Sequence, residues 1–141
     1  MKHIFYFLFA TTVLTFIACK DDDDPTPSIY EYHAHIHSPD TAEKHIGDTM
    51  AIEVEFESHT GETVHHINVR IFNKSTNAQV YNKPDEAHVH DTSGAYTFED
   101  EFILSTATGL SEGDWVLEAK VWGDEDGLEE TTERVEFHIH N

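Results

Sequence analysis

Residues 49–57 read Thr-Met-Ala-Ile-Glu-Val-Glu-Phe-Glu. Met50, Ile52, Val54 and Phe56 fall at every second position, and Glu53, Glu55 and Glu57 fill the gaps between them. A helix advances about 100° per residue and would scatter these apolar groups around its circumference, whereas an extended chain sends successive side chains to opposite faces. Only a strand collects the four apolar residues on one side and the carboxylates on the other. The stretch therefore predicts a strand with one face in a core and one in water.

The same alternation recurs on both sides of this segment. Upstream, in Ile29–His37, Tyr30, Tyr32, Ala34 and Ile36 oppose Glu31, His33, His35 and His37. Downstream, Val64–Phe72 aligns His65, Ile67, Val69 and Ile71, and a short strand at Gln79–Asn82 follows a turn at Asn73–Asn77. In Ala95–Leu104, Tyr96, Phe98, Phe102 and Leu104 share a face that Asp100 interrupts. Trp115, Leu117, Ala119 and Val121 line up in Trp115–Trp122. The last segment, Glu133–His140, sets Val135, Phe137 and Ile139 against Glu136, His138 and His140. Seven one-sided strands between turn signals predict an all-β, seven-stranded antiparallel sandwich spanning 29–141. A stretch of this length supports one core and leaves no room for a second.

The N-terminus reads differently. Lys2 and His3 precede an apolar run, Ile4–Ala18, with no acidic residue before Asp21. This is the layout of an export signal, and it is shorter than the roughly 20 residues a transmembrane helix needs. Phe16-Ile17-Ala18-Cys19 resembles the lipobox of bacterial lipoproteins, with Phe16 where Leu is commonest. The resemblance implies cleavage after residue 18 and a lipid on Cys19. As the sole cysteine, Cys19 cannot form a disulfide within one molecule. Lys20-Asp21-Asp22-Asp23-Asp24 resembles the sorting signal of Bacteroidota surface lipoproteins, which implies the outer face of the outer membrane. With Pro25 and Pro27 it makes residues 19–28 a stiff acidic tether.

Within the domain, Gly94-Ala95-Tyr96-Thr97-Phe98, Gly113-Asp114-Trp115-Val116-Leu117 and Asp124-Glu125-Asp126-Gly127 resemble the closing strands and turns of immunoglobulin-like or cadherin-like bacterial surface modules. The whole is similar to small Bacteroidota surface lipoproteins grouped as a domain of unknown function, a resemblance that implies no activity. The disulfide of antibody-type domains is absent.

Histidine is the unusual feature. The chain has 12, and nine of them cluster as His33-Ala-His35-Ile-His37, His65-His66, His88-Val-His90 and His138-Ile-His140. On a strand, residues two apart point the same way, about 6.6 Å apart. Two such imidazoles can converge on one ion, with a third ligand from a neighbouring strand. In immunoglobulin-like sandwiches the first strand, or part of it, often runs parallel to the last. If they pair here, His33, His35, His37, His138 and His140 form one exposed stripe, the main expected metal site. His88 and His90, read as lying in an acidic loop, and His66 are secondary candidates. His65 falls on the apolar face and reads as a core or edge histidine. Imidazole without free thiol favours Zn or Cu. Asp124-Glu125-Asp126-Gly127 lacks the spacing of an EF-hand and reads as a turn rather than a Ca²⁺ loop.

With 28 acidic against eight basic residues and a formal charge of −20, the chain repels nucleic acid and attracts cations. No metalloprotease, activated-nucleophile or phosphate-loop motif is present, and the expected stripe is shallow, so the sequence reads as a binding protein and not an enzyme. The expected partners are a bilayer through Cys19, a divalent metal ion, and an outer-membrane transporter that receives it. The competing reading is a metal-free adhesion or glycan-binding module with Trp122, Phe72 or Tyr81 as exposed stacking platforms.

Overall fold

A computed structural model describes residues 31–83, 88–91, 93–124 and 130–141. The export signal, Cys19, the tether and residues 29–30 lie outside the described residues. So do Asp85 to Ala87 and the acidic turn beyond Asp124, and of His90 only the backbone is described. The described strands are β1 (Tyr32–Ser38), β2 (Lys44–His45), β3 (Thr49–Ser58), β4 (Val64–Asn73), β5 (Gln79–Lys83), β6 (His88–Asp91), β7 (Ala95–Ile103), β8 (Gly113–Trp122) and β9 (Thr131–His140). One 3₁₀ turn, Thr106–Thr108, is capped by the Ser105 side chain, and Gly109 closes it at φ 92°, a conformation that favours glycine.

All seven expected strands form, and β2 and β6 are added. The small sheet has the order β1-β3-β7, and the large one β2-β9-β8-β4-β5, with β6 also on β4. β5 pairs with the C-terminal half of β4 and β6 with its N-terminal end, so two short strands share one edge. Every pair is antiparallel except β2 with β9.

The expected pairing of the first and last strands is corrected. β1 pairs with β3 in the small sheet, whereas β9 lies in the large one. The break comes after Ser38, because Pro39 has no N–H to continue a ladder. The chain then reaches the other sheet, where Lys44 and His45 lie beside Ile139 and His140, and Ile46 N–H donates to the His140 carbonyl at 2.9 Å. The strand parallel to β9 is thus the two-residue β2, and the five-histidine stripe does not form.

Between the sheets, Ile52, Val54 and Phe56 of β3 pack with Ile67, Val69 and Ile71 of β4, Trp115, Leu117 and Val121 of β8, and Phe137 and Ile139 of β9. Side chains of this size each contribute roughly 1.5–3 kcal/mol on burial. Asp100 interrupts the apolar face of β7 for a reason: the Tyr81 hydroxyl, from β5 in the other sheet, donates to its Oδ2 at 2.6 Å.

Candidate metal centre

β4 opens Val64-His65-His66-Ile67. Val64 and Ile67 are both fully buried although they stand three residues apart, so strict alternation fails between them. The break coincides with a slip against β6, where Val64 faces Asp91 but His66 faces His88. β6 passes three residues where β4 passes two, the arrangement of a β-bulge, which re-aims side chains. As a result the His65 and His66 rings touch, with centroids 4.5 Å apart, and His88 joins them at 4.9 Å from His65 and 3.9 Å from His66.

The neighbours of these rings set their tautomers. His66 Nδ1 lies 2.6 Å from the Gly123 carbonyl, which can only accept, so Nδ1 carries the proton and Nε2 keeps its lone pair. His65 Nε2 lies 2.8 Å from Asp124 Oδ1, so its proton sits on Nε2 and the lone pair on Nδ1. A carbonyl and a carboxylate in these positions are the outer partners that metal-bound histidines usually have. His66 Nε2 is 3.2 Å from His88 Nε2. Two nitrogens bound tetrahedrally to Zn²⁺ lie about 3.3 Å apart. His65 Nδ1 is 3.1 Å from His66 Nδ1, a contact it would give up to an ion. One ligand atom from each of the three residues lies within 4.8 Å of the others.

The site grades from wet to dry. His88 is exposed, His65 half-buried and His66 buried. Trp122, directly opposite His66 on β8, stacks on its ring at 5.2 Å with 5° between the planes. A three-imidazole cluster with one buried member and one open side can hold an ion and leave a position for a further ligand.

The structure thus brings together His66 and His88 from the secondary candidates and adds His65, which the sequence read as a core or edge histidine. His88 lies on a strand and not in a loop. The expected main candidates split between two sheets, His33, His35 and His37 on β1 and His138 and His140 on β9, where the last two rings stay 4.6 Å apart. On β1, His35 Nε2 donates to Glu57 at 3.0 Å, His37 Nε2 contacts Glu55 at 3.3 Å, and His33 stacks on His59. On β9, His138 Nδ1 donates to Asp114 at 2.7 Å, and the hydrogen bond holds that carboxyl below its usual range. His140 lies beside His45 of β2. His45 and His59 escaped the sequence reading because neither belongs to a His-x-His unit. The signal for His65 was the doublet itself, since adjacent strand residues share a site only at a bulge.

Of the three expected stacking platforms, Tyr81 is corrected, and the other two each have a face covered. Tyr81 is buried, Trp122 is half-buried against His66, and the Arg70 guanidinium lies over the Phe72 ring at 4.9 Å.

No protein-family profile and no curated protein sequence matches the chain. Solved structures do. A CARDB domain from Pyrococcus furiosus superposes with a TM-score of 0.53 at 14% identity, covering 78% of this chain and 94% of that one. Spo0M, a sporulation control protein of Bacillus subtilis, gives 0.51 at 12% identity, covering 79% of this chain and 49% of that one. A β-glucosidase of Listeria innocua gives 0.52 at 12%, covering 80% of this chain and 16% of that one. The domain is an immunoglobulin-like β-sandwich. At these identities the likeness defines the fold alone, and the site stands on its own geometry.

Proposed function

We propose that this domain binds one divalent transition-metal ion, Zn²⁺ or Cu²⁺, through His65, His66 and His88. It works outside the cytoplasm on a lipid anchor at Cys19, and it captures, buffers or hands on the ion without chemical turnover. The observation that carries the reading is the approach of His66 Nε2 to His88 Nε2, 3.2 Å, with His65 alongside and the outer nitrogens of His65 and His66 already committed to Asp124 and Gly123. Imidazole nitrogens suit Zn, Cu, Ni and Fe, and the absence of sulfur in the cluster argues against a Cu(I) carrier. The acidic surface raises the local concentration of cations. The exposure of His88 gives the ion a way in and out, as transfer to an outer-membrane transporter requires.

Isothermal titration of the untagged protein with Zn²⁺ tests this. The expected outcome is chelator-reversible binding that His66→Ala weakens at least 100-fold at its own site, while His138→Ala leaves it unchanged. Equal affinity in wild type and His66→Ala would overturn the reading.

A further inference from the structure

We infer that Glu31, His33 and His59 form a second metal site, independent of the first and of mixed carboxylate–imidazole chemistry, at the edge of the small sheet. Register builds it. Tyr32 faces Ser58 and His33 faces Glu57, and His59 N–H then donates to the Glu31 carbonyl at 2.9 Å. This holds the turn after β3 against the start of β1. The His33 and His59 rings stack at 4.2 Å with 23° between planes. One ligand atom from each of Glu31, His33 and His59 lies within 4.8 Å of the others.

Two details point to an ion here and not to a plain polar surface. His33 Nε2 is shielded from solvent and makes no hydrogen bond, although Glu31 Oε1 stands 3.2 Å away. A shielded polar atom without a well-formed hydrogen bond is uncommon in folded proteins, and a metal ion shared with the Glu31 carboxylate would satisfy this nitrogen. The second detail is Glu57. Its Oε1 takes hydrogen bonds from His59 Nε2 at 2.9 Å and from His35 Nε2 at 3.0 Å. The proton of His59 is thereby fixed on Nε2, and Nδ1 is left to bind, the same outer-carboxylate arrangement that Asp124 provides for His65.

Two imidazoles and one carboxylate with open positions form a known ligand set for Zn²⁺. The site differs from the all-nitrogen cluster in carrying negative charge, and it adjoins Glu57 on β3. Both sites lie at one end of the sandwich. Tyr32, between Glu31 and His33, donates to the Thr63 carbonyl, two residues before His65.

The test is the number of Zn²⁺ ions bound per chain, read by native mass spectrometry and by competition with a chromophoric chelator. Wild type should take two. His59→Ala and the milder Glu31→Gln should each take one, His66→Ala should take one, and the double variant His59→Ala/His66→Ala none. Circular dichroism of each variant checks the fold. If wild type takes one ion and His66→Ala none, this second site is overturned and the first stands. If wild type takes one and His59→Ala none, the second stands and the first falls.

Discussion

Glu118 is the only buried acidic side chain among the described residues. It sits on β8 directly between Arg70 of β4 and Arg134 of β9, and each Nε donates to one of its oxygens at 2.6 Å. Burial pushes its pKa up, but the hydrogen bonds and charges of the two guanidinium groups outweigh burial and hold it below its ordinary 4.5. A depressed carboxyl stabilises the fold above the unfolded-state value and loses that contribution as pH falls through the folded value. Glu118→Gln should therefore cost about 2 kcal/mol at neutral pH and flatten the decline in stability below about pH 4.5. Urea melts at neutral and acidic pH check this. The residue also shows why acidic content alone is a poor guide to exposure: nothing in Leu117-Glu118-Ala119 marks this carboxylate as enclosed, because its two partners come from strands distant in the chain.

At the scale of elements, the decisive feature is the mismatch between β4 and β6. An unbroken β4 would point His65 and His66 to opposite faces, and the three-histidine cluster would not exist. The same reasoning covers β7, where Asp100 looks like an error in an apolar row until β5 is placed opposite it. Burial first, then the hydrogen bond to Asp100 and its charge, raise the Tyr81 pKa far above the ordinary 10.0. A raised value means stability that is present below the unfolded-state pKa and lost as pH climbs beyond it. Tyr81→Phe should cost about 1–2 kcal/mol at neutral pH and remove part of the loss of stability above about pH 10. Alkaline denaturation of the two proteins, followed by fluorescence, checks the sign.

For the whole molecule, charge is sorted by sheet. β1, β3 and β7 contain no Lys or Arg, and Glu53, Glu55, Glu57, Glu99 and Glu101 lie on them. Arg70, Lys120 and Arg134 lie on the large sheet. The small sheet is therefore the more negative side, and the second proposed site lies at its edge. How the domain is held in place is a property of the complete chain. Cys19→Ser should release the protein from the membrane fraction and abolish metabolic labelling with palmitate. Retention of either would remove the lipid anchor from the proposed function.

The period-two pattern in residues 49–57 and its repeats was enough to establish an all-β sandwich, because one-sided strands have no other way to bury their apolar faces together. Composition likewise settled the charge and its bias toward cations. The membership of the histidine cluster was another matter. His66 and His88 could be named as candidates, but which histidines meet depends on Pro39 ending β1, on β2 taking the place beside β9, and on a one-residue slip between β4 and β6. Each is a choice among pairings between segments far apart in the chain, decided by which register buries Val64, Ile67 and their partners together, and local periodicity carries no record of it.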